Sequence, residues 1–241
     1  MIKEGVLENP KVEKMLGQHV FPDLEVGKVG FRPGKYMAST DELHITIKGK
    51  GGHAALPEKY NSPLLAAAKL ITVLDEYSKK EKDRPCVLAI GFIEGLGSTN
   101  VIPEQVKLKG TLRAMDEDFR MKTHEKMLAI ANTIAEMYSL TIDFDIRKGY
   151  PCLVNHEELT KKSISFAKEY MGTENVIDLP IRMTAEDFSY YSQQVPSCFY
   201  RLGTANKSKG ITHGLHTSRF NIDESSLKSG MGLMAYLAIK N

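Results

Sequence analysis

The hydrophobic period of residues 41–148 switches back and forth between two and 3.6 residues, and the order of the switches leaves few folds open. Leu43, Ile45 and Ile47 alternate with His44, Thr46 and Lys48, the pattern of a half-buried strand. Ser62 and Pro63 suit an N-cap and a first helical residue. The helix they open is predicted to reach about Ser78, with Leu64, Ala68, Ile71 and Leu74, or Leu65, at helical spacing. Residues 86–93, CVLAIGFI, read as a nearly all-apolar strand. Residues 105–114 alternate again, Val106, Leu108 and Leu112 against Lys107, Lys109 and Arg113. Asp116 is placed to cap a long helix ending near Tyr138, with Phe119, Met127, Ile130 and Ile134 on its apolar side. Leu140, Ile142, Phe144 and Ile146 close the series as a strand. Strand-helix-strand-strand-helix-strand is the ferredoxin-like arrangement. Three strands keep a polar face, so both helices are expected on the other face of the sheet.

The flanks read differently. Residues 1–37 carry a short helix pattern and then the apolar run MLGQHVFP, which contains His19. Residues 155–241 carry a helix at about 156–171 and a closing helix at about 223–239. Asp223 or Glu224 would sit in the first turn of that last helix, where the dipole favours a carboxylate. The expected class is α/β. Residues 1–40 and 149–241 are two pieces of one domain, and 41–148 is inserted between them.

Charge narrows the function. Lys+Arg at 32 against Asp+Glu at 30 leaves a net charge of +2, which does not call for nucleic acid. A ferredoxin-like sheet that binds RNA needs exposed aromatics, and the polar face of 105–114 offers Lys107, Lys109, Thr111 and Arg113 instead. No stretch is long and apolar enough for a membrane span, and MIKEGVLENP lacks the order of a secretory signal, so the expected location is cytoplasmic. Cys86, Cys152 and Cys198 form no CxxC and are expected to be buried, reduced thiols.

The chemistry-bearing residues lie in loops and at strand ends. His53 sits in Gly-Lys-Gly-Gly-His-Ala-Ala-Leu-Pro (49–57), between a strand and a helix, where glycine lets the backbone turn tightly and approach a ligand. His19, in Gly-Gln-His-Val-Phe-Pro, and His216, in Leu-His-Thr-Ser-Arg-Phe, could each offer an imidazole to a metal at a sheet edge. Neither belongs to an HExxH pattern. His213 reads as a loop residue, and His44, His124 and His156 as solvent-facing. Asn100 suits a turn and Arg113 a solvated strand face. The functional alternative is that both hold a substrate carboxylate or amide, since the guanidinium fork donates two parallel bonds. Glu186 and Asp187 form an acidic pair that either caps a helix or serves a site.

Taken in order, these segments resemble the M20 metallopeptidase family, most closely its branch that hydrolyses N-acyl amino acids, hippurate-like compounds and aminoacyl conjugates. The matching stretches are EGVLENP (4–10), GQHVFP (17–22), GKGGHAALP (49–57), GSTNVIP (97–103), GTLR (110–113), TAEDF (184–188) and LHTSRFNIDE (215–224). The resemblance implies part of a zinc-peptidase-like α/β catalytic domain with an inserted ferredoxin-like lid and dimerisation domain. It implies His19 and His216 as metal ligands, with two divalent ions, zinc or manganese, activating a water. It implies that His53 stabilises the oxyanion, typically in the partner subunit's site, while Asn100, Arg113 and Glu186 contact substrate. A small N-acyl amino acid and a second copy bound through the lid are the implied partners, with no nucleic acid and no membrane. The family's Cys-Gly-His-Asp segment does not occur here, and the place of its Glu-Glu pair is expected just ahead of the first residue. The chain is therefore expected to be the C-terminal part of a larger amidohydrolase, with weak or no metal binding and little hydrolysis alone. The alternative is a non-catalytic dimerisation or small-ligand-binding module.

Overall fold

The computed structural model describes residues 1–80 and 84–241. In chain order its elements are β1 (Met15–Glu25), β2 (Val29–Phe31), β3 (Gly34–Met37), β4 (Asp41–Lys48), β5 (Gly52–His53), α1 (Pro63–Lys80), β6 (Cys86–Glu94), β7 (Val101–Ile102) and β8 (Gln105–Ala114). They continue with α2 (Glu117–Tyr138), β9 (Thr141–Lys148), β10 (Leu153–Asn155), α3 (Glu157–Met171), β11 (Val176–Asp178), α4 (Ser189–Ser192), β12 (Ser197–Ala205) and α5 (Ser225–Lys240). The chain folds as two compact units. One is Met1–Met37, Leu153–Arg182 and Asp187–Asn241, and the other is Ala38–Cys152 with Met183–Glu186. Among the described residues no helix is long and apolar enough to cross a membrane.

The unit beginning at Ala38 has an antiparallel sheet in the order β6-β8-β4-β9. Leu43, Ile45 and Ile47 of β4 and Val106, Leu108 and Leu112 of β8 share one core with α1 and α2. Both helices therefore lie on one face, the ferredoxin-like arrangement. Asp116 caps α2, its carboxylate accepting the Phe119 N–H at 3.0 Å. The buried face of α1 follows the expected stripe only in part: Leu74 is buried and Ile71 packs on the core, whereas Leu64 and Ala68 are exposed. Pro63, Ala66, Ala67, Leu70 and Leu74 face the sheet, whereas Leu65 is 60 % exposed. Alanines at 66 and 67 let the helix backbone approach the strands, and a reading weighted by side-chain size favours the leucines beside them.

A buried ionic network closes this unit at its neck. Asp41, fully buried at the start of β4, accepts from Arg120 Nε at 2.9 Å and Nη2 at 2.5 Å. It also pairs with His124 Nε2 at 2.6 Å. Arg120 further donates to Glu117 Oε2 at 2.9 Å and to the carbonyls of Thr40 and Gly149 at 3.2 and 3.3 Å. Glu117 Oε1 in turn accepts the Cys152 N–H at 2.7 Å. His124, expected at the surface, is thus buried, because it lies one turn beyond Arg120 on the face of α2 that meets Asp41. The cysteines also depart in part from expectation. Cys152 and Cys198 are buried, and burial pushes the Cys198 thiol up to about 11. Cys86, at the start of edge strand β6, is only half-buried.

The other unit carries the sheet β1-β12-β2-β11. β12 runs parallel to β1 and antiparallel to β2, and every one of its residues is buried. Helices α3 and α5 cover one face, packing Leu159, Ala167, Leu233 and Leu237 on Val29, Phe31, Cys198, Tyr200 and Leu202. A second cluster contains Phe21, Tyr36, Met37, Leu153, Leu179 and Phe199. His156 is exposed and its Nδ1 accepts the Leu159 N–H, which caps α3. Asp223 lies just ahead of α5, where Ser225, Lys209 and Asn206 bond its carboxylate and hold it well below the usual carboxylate range.

The Asp41 network sets a stability test. Burial alone would raise the Asp41 pKa, but the hydrogen bonds and charges of Arg120 and His124 outweigh it and hold the group at about 2. The folded value is below the unfolded one, so this stabilisation is complete above about pH 4 and is lost as pH falls through about 2. It is expected to contribute about 2 kcal/mol. Asp41→Ala leaves the buried Arg120 with Glu117 alone to answer its charge and is expected to cost about 3–5 kcal/mol at neutral pH in urea denaturation.

Candidate active site

His53 is presented by a two-residue ribbon. β5 pairs antiparallel with β7, His53 opposite Val101 and Gly52 opposite Ile102. The Ala54 N–H donates to the Asn100 carbonyl at 2.9 Å, which sets Asn100 beside the histidine turn. The His53 ring is exposed, and its Nδ1 accepts the Ala55 N–H at 3.1 Å. A neutral imidazole that accepts at Nδ1 carries its proton on Nε2. The outward nitrogen is therefore a donor suited to a developing oxyanion. Asn100 is exposed too, and its Oδ1 accepts from Ser98 Oγ at 3.1 Å, which leaves the amide NH2 as a second donor.

The glycines before His53 do a different job from the one expected. None of Gly49, Gly51 and Gly52 has a positive φ. A Cβ on Gly49 would collide with the Asn61 carbonyl, and one on Gly51 would lie 2.6 Å from the Ile102 carbonyl oxygen. The loop needs glycine because neighbouring backbone crosses it closely. Gly52 is not crowded, its nearest neighbour to a Cβ being Tyr60 at 3.5 Å.

Arg113 is half-buried on β8, opposite Val87 on β6. Glu186 is half-buried in the Met183–Glu186 segment of the same unit. The other two predicted residues lie in the unit built on β12. His19 is half-buried on β1, its Nδ1 2.8 Å from the Val20 carbonyl and its ring edge-on to Phe199 at 6.3 Å. Donating Nδ1–H to a carbonyl leaves the Nε2 lone pair free, the orientation of a metal-binding histidine. His216 is exposed, with a left-handed backbone at φ 61°. Such a conformation is uncommon outside glycine and clusters at functional sites. No hydrogen bond or ring contact joins His19 to His216. No group of three His, Cys, Asp or Glu side chains converges among the described residues. Two imidazoles without a contact between them are fewer than the three or more protein ligands that a divalent centre takes.

Sequence reasoning passed over Arg201. It stands in the otherwise apolar run SCFYRLGTA, a central strand with no exposed residue, and a lone arginine in such a run is the signal.

The fold is that of a hydrolase family. Residues 1–240 match the description of peptidase family M20/M25/M40, and the chain belongs to that family. It is 32 % identical over 243 residues to the N-acetyldiaminopimelate deacetylase of a Geobacillus species, covering 100 % of this chain and 63 % of that protein. It is 34 % identical over 247 residues to an IAA-amino acid hydrolase of Arabidopsis thaliana, covering 100 % of this chain and 56 % of the relative. The crystal structure of a Bacillus subtilis protein, described as a dinuclear metal binding peptidase from the M20 family, superposes with a TM-score of 0.81 at 28 % identity. That match covers 99 % of this chain and 59 % of that one. The chain thus spans about three fifths of the length of these proteins.

The ribbon geometry separates two neighbouring glycines. Gly51→Ala is expected to destabilise the loop by about 1–3 kcal/mol through overpacking. Gly52→Ala is expected to stay within about 0.5 kcal/mol. Thermal unfolding of the two variants measures the contrast.

Proposed function

We propose that the chain contributes to hydrolysis of the amide bond of small N-acyl amino acids. The observation that carries this reading is the ribbon that sets the His53 Nε2–H donor beside Asn100 in a member of a hydrolase family. Water adds to the amide carbonyl as a general base takes its proton, the resulting oxyanion accepts a hydrogen bond from His53 Nε2–H, and collapse of the adduct breaks the C–N bond, the nitrogen leaving with that proton as the free amino acid. Arg113 and Asn100 hold the carboxylate of the amino acid part, Arg113 through the two parallel N–H groups of its fork. Glu186 contacts the substrate from the same unit. His19 and His216 are the imidazoles that this chain brings to zinc or manganese. A divalent pair, when bound, supplies a water of lowered pKa. Two imidazoles fall short of a catalytic zinc ligand set, so metal binding and turnover by these 241 residues alone are weak.

A second copy is proposed to pair through the ferredoxin-like unit. Strand β6 is an edge with apolar side chains in the open, Val87, Phe92 and Ile93, the last 55 % exposed. Unpaired backbone with such side chains is a template for another strand. This surface equally serves the alternative of a non-catalytic dimerisation module.

Binding separates the two readings without requiring turnover. The chain is expected to bind N-benzoylglycine, with Arg113→Ala weakening it at least about ten-fold, the scale of a lost charge-assisted pair. Equal binding of N-benzoylglycinamide, which lacks the carboxylate, would overturn the role of Arg113. In any preparation active with zinc or manganese, His53→Ala is expected to lower kcat about 10²–10³-fold, as loss of an oxyanion donor does. Ile93→Lys is expected to turn a dimer into a monomer in sedimentation equilibrium, and an unchanged mass would rule out the β6 edge.

A further inference from the structure

The unit built on β12 gathers three arginines around Tyr36 that make no ion pair among the described residues. Arg32, Arg182 and Arg201 all lie close enough to Tyr36 for their charges to act on its phenol. Tyr36 is fully buried and Arg201 is 4 % exposed. Arg32 is satisfied by the carbonyls of Lys35 and Leu179, each at 2.9 Å. The other two are not. Arg201 donates from Nε to the Tyr36 hydroxyl at 3.3 Å, and its Nη2 meets only the Met37 sulfur at 3.2 Å. The Nε of Arg182 is buried without any hydrogen-bond partner. The Phe21 ring lies 4.6 Å from the Arg182 guanidinium and 6.0 Å from that of Arg201, which is also 5.0 Å from the Phe199 ring. Among the described residues, none of the three arginines makes an ion pair with a carboxylate.

A guanidinium keeps its charge and carries five N–H donors. Aromatic faces attract it but accept none of those donors in the plane of the fork. A buried positive charge without a counter-charge, here Arg201, is costly, and the half-exposed Arg182 beside the same ring adds repulsion. What is lacking is one negative group with in-plane acceptors, placed to take the Arg182 Nε–H and the remaining N–H groups of Arg201. Burial keeps the Tyr36 hydroxyl neutral, so its proton is available to the same acceptor.

We propose that Arg182, Arg201 and the Tyr36 hydroxyl form a binding site for the carboxylate of a small organic acid, with the Phe21 and Phe199 rings against its apolar part. A carboxylate matches the planar fork, spreads a single charge over two oxygens and suits aromatic walls. Arg182, the half-exposed member, is the side from which such an acid arrives. Arg201 is the Cα partner of His19 across the β1–β12 pair, so the acid lies next to the imidazole assigned above to a metal. The site does not depend on that assignment.

The test is thermal unfolding of the chain in sodium acetate against sodium chloride at matched ionic strength and pH. Acetate is expected to raise the midpoint saturably where chloride does not. Arg182→Gln, at a half-exposed position that tolerates the change, is expected to raise the half-saturating acetate concentration at least about ten-fold, the scale of a lost charge-assisted pair. Arg182→Lys, which keeps the charge and loses the fork, should fall between the two. The series is repeated in an Arg113→Gln background, which removes the carboxylate site of the proposed function in the other unit, and there acetate should still raise the midpoint. Acetate and chloride acting alike would overturn the proposal, as would an acetate response that survives Arg182→Gln in that background or is absent from Arg113→Gln alone. The last result would point to the carboxylate site of the proposed function and leave that reading standing.

Discussion

A single buried carboxylate, Asp41, organises the ferredoxin-like unit. It starts the central strand, and Arg120 and His124 reach it from the first two turns of α2. Arg120 then extends the same charge to the carbonyls of Thr40 and Gly149, while Glu117 anchors the Cys152 amide. Helix, first strand and last strand are thereby tied at one end of the sheet. A buried charge pair of this kind adds less to net stability than its geometry implies, because both ions lose their water. Its larger effect is on register. A slip of β4 by one residue would turn Asp41 away from Arg120 and turn Leu43, Ile45 and Ile47 out of the core.

From that fixed end the sheet runs out to the loop that carries His53. The link between core and chemistry is steric. β4 delivers the chain to Gly49, and the crowded contacts at Gly49 and Gly51 hold β5 against β7. Only then does the Ala55 N–H meet Nδ1 and determine which ring nitrogen carries the proton. The polarity of His53 thus follows from backbone packing and requires no neighbouring acid.

The sequence conveys the parts of this design that are local. The alternation in β4 and β8 and the Asp116 cap are written into consecutive residues, and the structure has them where the pattern puts them. The face of α1 is not local, since only the sheet beneath it decides between Ala66 and Leu65. Asp41 and His124 are polar at positions where a strand start and a helix surface normally meet water. Their burial depends on each other across a long stretch of chain, which no periodicity records. Arg201 was visible as an anomaly in an apolar run, but its meaning lay in Tyr36 and Arg182, brought near by folding. Candidate residues in named motifs were legible, whereas the partners that orient them were not.

The neck at Thr40 has a consequence for how such a chain can be assembled. Thr40 donates its N–H to the Tyr150 carbonyl and accepts from the Gly149 N–H, both at 2.9 Å, so the stretch 41–148 starts and finishes at one point. To the flanking strands, everything between those two residues is equivalent to a tight turn. Loop-closure entropy grows only slowly with length, and here the closure is made inside the insert by its own hydrogen bonds. The flanks therefore pay almost nothing for the size of what they carry. The ferredoxin-like unit behaves as a cassette, and its length, loops and edge strand can change without altering the ends that its host must join.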